Sequence, residues 1–125
     1  MNKLIEEIFA DFEVDDKNIP VSFLKYDGKS TTYITYQSIS NDGALSGDDE
    51  ILGYIDYYDF DIYSKGNYFN IVKEVKQKLK ENGFMWQPSM SSEDMYEDDT
   101  GYFHKTLCFA IERMEVWNYG KNRIK

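Results

Sequence analysis

Residues 67–82 carry the start, face and stop signals of an amphipathic helix. Asn67 can cap its start, Gly83 follows its end, and lysines fill its last turns. Its apolar residues recur at helical spacing: Tyr68, Ile71, Val72, Val75 and Leu79. A helix with one apolar stripe has to bury that stripe against another element, so the rest of the chain must supply a covering layer.

The segment just before it, about 51–63, predicts a long half-buried strand because its side chains alternate. One side carries the residues predicted to face the core: Leu52, Tyr54, Asp56, Tyr58, Phe60 and Ile62. The other side carries Ile55, Tyr57, Asp59, Asp61 and Tyr63. We predict that this second side faces solvent or a partner, and these five are our candidate protein-interface residues.

The remaining segments predict one helix, four further strands and two loops. The helix spans residues 2–12, with an apolar stripe from Leu4 to Phe12. A hairpin joins strands 21–26 and 31–39 through a glycine turn at 27–30. The other predictions are a polar loop at 41–50, a strand at 84–90 bent by Pro88, an acidic loop at 91–101 and a last strand at 102–114.

The predicted order is therefore α-β-β-β-α-β-β. We expect an α+β fold with two helices packed on one face of a mostly antiparallel twisted sheet. Residues 1–114 are predicted to form a single domain. The basic segment 115–125 is predicted to be a tail that is disordered or becomes ordered only on a partner.

The charge and composition favour protein partners over nucleic acid or membrane. The formal net charge is −9, and such an acidic field repels phosphate, so direct nucleic-acid binding is not expected. The start lacks an apolar signal segment and no apolar run is long enough to span a bilayer, which predicts a soluble cytoplasmic protein. Tyr is abundant, with eleven residues, and Tyr suits strands and interfaces.

No set of residues predicts catalysis, a cofactor or a metal site. Asp59 and Asp61 lie on one strand face, but no His or third carboxylate stands at a defined spacing from them. His104 is the single histidine, and we expect it to be exposed or hydrogen-bonded. Cys108 lies on the same strand face as His104 but two pleats away from it, about 13 Å, so a Cys–His nucleophilic pair is disfavoured. The acidic loops lack the calcium-loop pattern.

Three segments resemble one family. They are 57–68, followed by Ile71, Lys73, Leu79 and Gly83-Phe84; 32–36; and 102–105, which leads into an apolar strand. The chain is similar to small tail-completion proteins of tailed phages and prophages of Gram-positive bacteria. The basic tail from Lys121 and the loop 91–101 do not fit the family pattern.

The resemblance implies an α+β fold with no catalytic residues and a structural role in virion assembly. Such proteins terminate tail-tube polymerisation or join tail to head, typically as a hexameric ring. The implied partners are tail-tube and head-connector proteins. The implied locations are the host cytoplasm during assembly and then the tail or head–tail junction.

A second function follows from charge alone. A chain with net charge −9 can mimic DNA and inhibit a host nucleic-acid-binding protein. The Lys-rich helix and the basic tail argue against this alternative, since both interrupt the acidity.

Overall fold

The structure is a computed structural model that describes residues 2–39, 43–47 and 50–113, with side chains described for 3–39 and 54–112. Met114, the predicted tail 115–125 and parts of the predicted loop 41–50 lie outside the described residues, as do the side chains of Asn2 and Leu52. The helices are α1 (Asn2–Ile8) and α2 (Phe69–Glu81), with a 3-10 turn at Pro88–Met90. The strands are β1 (Glu13–Val14), β2 (Lys17–Asn18), β3 (Val21–Phe23), β4 (Tyr33–Ser38), β5 (Gly43–Gly47), β6 (Glu50–Ser64), β7 (Met85–Trp86), β8 (Met95–Glu97) and β9 (Tyr102–Arg113).

The predicted class is confirmed: the described chain is α+β, with two helices and a mostly antiparallel mixed sheet. The main path of the sheet runs β3-β4-β6-β9-β7. In addition, β5 pairs with β6, and β8 pairs with β9. The predicted order holds only in outline, because short strands occur that the periodicity does not reveal. Strands of two or three residues are too short to show a period.

One hydrophobic core contains side chains from both helices and from the strands of the sheet. Ile5 and Phe9 come from α1, and α2 buries Ile71, Val75 and Leu79. The strands contribute every second residue: Ile34, Tyr36, Tyr58, Phe60, Ile62, Leu107, Phe109 and Ile111. The alternation predicted for the long strand is therefore confirmed over residues 56–62, where buried and half-buried side chains alternate, whereas Tyr54 and Ile55 are both half-buried.

The helix α2 follows its sequence signals closely. It begins at Phe69, two residues later than predicted, so the N-cap residue is Tyr68 and not Asn67. The Asn67 side chain still accepts a hydrogen bond from the Phe69 backbone N–H at 2.9 Å. Gly83 has φ of +89°, the left-handed conformation that ends many helices. The first helix is shorter than the predicted 2–12: it ends at Ile8, and Asp11 has positive φ.

The predicted hairpin of strands 21–26 and 31–39 is wrong. β3 pairs with β4 in parallel, with Val21 opposite Ile34 and Phe23 opposite Tyr36. Leu24 has φ of +70°, which turns the chain out of the sheet directly after β3. Tyr26 then returns and stacks on Tyr33, with ring centroids 4.6 Å apart. The turn at 27–30 thus brings the chain around to start β4 in the direction of β3.

Three predicted loop or strand boundaries are corrected by pairing along the long strands. The predicted loop 41–50 contains β5, which pairs antiparallel with β6, and β6 itself begins at Glu50. The predicted strand 84–90 is limited to β7, because the chain turns into a 3-10 segment at Pro88. The acidic loop 91–101 contains β8, which pairs with the start of β9.

Candidate protein-interaction surface

The five candidate residues of β6 lie on the side of the sheet opposite the core, and all five are half-buried. β6 is flanked by β4 and β9, so each candidate has cross-strand neighbours on this side. Tyr63 lies opposite Tyr33 and His104, and Asp61 lies opposite Thr35 and Thr106. Asp59 lies opposite Gln37 and Cys108, Tyr57 opposite Ala110, and Ile55 opposite Gly43 and Glu112. We call this side of the sheet the outer face.

A continuous aromatic strip crosses one end of the outer face. Tyr26 stacks on Tyr33, Tyr33 stacks on Tyr63 at 4.9 Å, and Tyr63 stacks on His104 at 4.3 Å between ring centroids. Tyr102 packs edge-on against Tyr33 and Tyr63. Burial, followed by the charge of Asp61, raises the pKa of Tyr63 to about 12, so its hydroxyl stays neutral. The strip presents flat rings with neutral polar tips, the chemistry that favours protein contacts.

Next to the strip, Asp61 and His104 form a small polar network. Thr106 donates a hydrogen bond through Oγ1 to Asp61 Oδ1, and Nε2 of His104 lies 3.1 Å from the same oxygen. The other ring nitrogen of His104 lies 3.8 Å from a Glu97 oxygen. His104 is thus held between two carboxylates. The expectation that His104 is hydrogen-bonded is confirmed, and the convergence of Asp61 with His104 was not predicted.

Two residues before Asp61 on β6, Asp59 lies opposite Cys108 on β9. Burial, followed by the charge of Asp61, raises the pKa of Asp59, and a hydrogen bond from Cys108 partly offsets that rise. Burial and the neighbouring Asp59 raise the pKa of the Cys108 thiol to about 11. Cys108 lies four residues from His104 along β9, so the thiol pairs with a carboxylate instead of the imidazole. A thiol with this pKa is a poor nucleophile.

Sequence reasoning missed a groove beside the start of α2. A cavity of about 390 Å³ is lined by Asn67, Tyr68, Phe69, Val72, Lys76, Asp94, Phe103 and Lys105. Phe69 is 75% exposed, although it is a large apolar residue. Tyr68 stacks on Phe103, and Tyr96 packs against Phe103 with the ring centroids 4.9 Å apart. The one available signal in the sequence was that two aromatic residues lie near the starts of predicted elements: Phe69 in the helix 67–82 and Phe103 in the strand 102–114.

Within the described ranges, no group of three or more His, Cys, Asp or Glu side chains is placed to hold a metal ion. Neither of the two described helices has the length and hydrophobicity needed to cross a membrane. No protein-family model matches this chain, and no curated protein matches it in a sequence comparison.

Proposed function

We propose that this protein completes the tail of a phage or prophage: as a ring subunit, it terminates tail-tube polymerisation or joins the tail to the head. The supporting observation is spatial. The three segments that resemble tail-completion proteins are far apart in sequence, yet they occupy the neighbouring strands β4, β6 and β9. Tyr33, Tyr63 and His104, one from each segment, lie in one cross-strand row of the aromatic strip.

The outer face suits docking on a large protein surface. Stacked tyrosines offer wide contact area at low cost in side-chain entropy, and their neutral tips remain available for hydrogen bonds. Asp59 and Asp61 add negative character beside the strip. The partner we propose for this face is therefore a tail-tube or head-connector protein whose contacting surface is aromatic and carries basic residues.

The test is removal of the gene from its phage, followed by electron microscopy of the particles. We expect over-long tails or heads and tails that fail to join, and supplying the wild-type chain from a plasmid should restore normal particles. Normal particles without the gene would refute the proposal.

A variant pair connects the phenotype to the outer face. Tyr57→Lys places a cation among the candidate interface residues and should fail to restore particles. Gln77→Lys makes a similar change at an exposed position on α2 and should restore them. Circular dichroism of both purified variants shows whether each is folded. Equal rescue by both variants would contradict the role of the outer face.

The DNA-mimic alternative makes a different prediction. A net charge of −9 favours a basic partner, with binding that weakens steeply as salt rises. Against this alternative, Lys73 and Lys80 are exposed on α2 and interrupt the acidity. A pull-down from host lysate at low and at high salt separates the two functions. Salt-sensitive recovery of a nucleic-acid-binding protein would support the mimic.

A further inference from the structure

The groove beside the start of α2 is a second surface, separate from the outer face. Phe103 and Lys105 line the groove and alternate with His104 along β9, so they lie on the side of the sheet opposite the outer face. Phe69 is 75% exposed and the Asp94 side chain is 72% exposed, so the groove is open to the surface. Small-molecule sites enclose most of their ligand, whereas an open groove suits a segment of another protein.

One part of the groove is aromatic. Phe69 is the first residue of α2, and among the described residues no aromatic ring packs against it. Beside it, Tyr68 and Phe103 stack with their ring centroids 6.2 Å apart. A large exposed ring next to a packed aromatic pair favours contact with an incoming aromatic side chain.

Another part of the groove is cationic. Its lining contains two lysines, Lys76 and Lys105, and one carboxylate, Asp94. Asp94 accepts a hydrogen bond from the Tyr68 hydroxyl and pairs with Lys105 at 3.4 Å. The ion pairs of the described residues do not include Lys76. The groove therefore carries one positive charge without a carboxylate partner, in a chain whose net charge is −9.

The ammonium group of Lys76 is held in a defined position. Its Nζ lies 3.5 Å from the centroid of the Trp86 ring, a cation–π contact. An ammonium group has three N–H donors, so contact with one ring face leaves donors for an anion. Burial, followed by the charge of Lys105, lowers the pKa of Lys76. An anion bound beside the two lysines would offset their mutual repulsion.

We infer that the groove binds a peptide segment of a partner protein in which a carboxylate lies next to an aromatic side chain. The aromatic side chain packs on Phe69, and the carboxylate pairs with Lys76. Complementary charge and apolar surface together favour this chemistry over a basic or a purely polar segment. The inference does not depend on the tail function, because none of the groove residues belongs to the outer face.

The experiment is an NMR titration of the full chain with three blocked dipeptides: acetyl-Glu-Phe-amide, acetyl-Gln-Phe-amide and acetyl-Glu-Ala-amide. The first carries both the charge and the ring, the second lacks only the charge, and the third lacks only the ring. One ring contact and one charge pair give weak binding, so we expect a Kd on the order of 1 mM for the first dipeptide. The amide signals that shift should belong to residues 67–76 and 103–105. The other two dipeptides should bind roughly tenfold more weakly.

Two substitutions test the two parts of the groove. Phe69→Ala removes the exposed ring at the first position of α2 and should weaken binding of the first dipeptide roughly tenfold. Lys76→Gln keeps most of the side-chain stem and removes the charge, so this variant should bind the first two dipeptides equally. Lys80→Gln is the matched control, because it makes the same change at an exposed position of α2 outside the groove and should bind like the wild type. Circular dichroism shows whether each variant is folded.

Three results would overturn the inference. The first is the absence of shifts in the groove signals at about 10 mM of the first dipeptide, ten times the expected Kd. The second is equal binding of the first two dipeptides to the wild type, since the charge would then play no part. The third is a folded Lys76→Gln variant that still prefers the dipeptide with the carboxylate.

Discussion

Tyr36→Phe is expected to stabilise the protein, because the Tyr36 hydroxyl is buried and has no hydrogen-bond partner among the described residues. Tyr36 lies on β4 opposite Phe60, and the residue is 1% exposed. Burial, followed by the charge of Glu6, raises the pKa of Tyr36, so the hydroxyl is neutral and its cost is that of an unpaired polar group. The aromatic ring keeps its packing in the variant.

The magnitude follows from the cost of the lost hydration. An unpaired buried hydroxyl costs about 1–3 kcal/mol in mutational data. The small gap left by the oxygen offsets part of this, so we expect a gain of about 1 kcal/mol in the free energy of unfolding. For a chain of this size that gain is roughly 3–5 °C in Tm. In urea it moves the midpoint by roughly 0.7 M at an unchanged slope.

The assay is urea unfolding followed by circular dichroism, with Tyr26→Phe as the matched control. Tyr26→Phe removes the same single oxygen, but the Tyr26 hydroxyl accepts a hydrogen bond from the Ser30 backbone N–H at 2.9 Å. That variant should lose about 0.5–1.5 kcal/mol. If Tyr36→Phe loses as much stability as the control, the Tyr36 hydroxyl has a partner and the reasoning fails.

Three further predictions concern the outer face and the end of α2. Asp59→Asn should stabilise the protein at pH 7. Because the folded state raises the pKa of Asp59, the free energy of unfolding of the wild type falls as pH rises from the unfolded pKa through the folded pKa. The stability gained from Asn, measured by thermal unfolding, should therefore shrink toward pH 4. An Asn variant that is less stable at pH 7 than at pH 4, relative to wild type, would contradict this. Cys108, with its pKa raised to about 11, should react with iodoacetamide far more slowly at pH 8 in the native protein than in urea, as mass spectrometry can follow, and equal rates would show an accessible thiolate. Gly83→Ala should cost roughly 1 kcal/mol in denaturant unfolding because φ at that position is +89°, and no loss would mean that the helix end rearranges.

Elements with many repeats of their own period were predictable from the sequence. The stripe of α2 repeats over three turns, and its end is marked by Gly83. The alternation of β6 separates Phe60 and Ile62 from Asp59 and Asp61 without knowledge of any neighbour. Burial on one side of such an element follows from the 3.6-residue or two-residue period itself, so local sequence suffices.

Tertiary structure decided which strands pair with each other and which distant side chains come into contact. The direction of β3 depends on Leu24 and on Tyr26 returning to Tyr33, which no periodicity encodes. The Asp61–His104 contact joins residues 43 positions apart, and it exists because β9 lies beside β6 in one register. The groove arises where the start of α2 meets Phe103.

The sequence by itself determined which side of each long helix and strand is apolar, because that property belongs to the spacing of residues along one element. Tertiary structure alone decided which elements became neighbours and in what register. The physical reason is that hydrophobic burial is non-directional, so it drives apolar sides together without choosing their partners. That choice depends on turns, hydrogen-bond ladders and side-chain packing between residues distant in the chain.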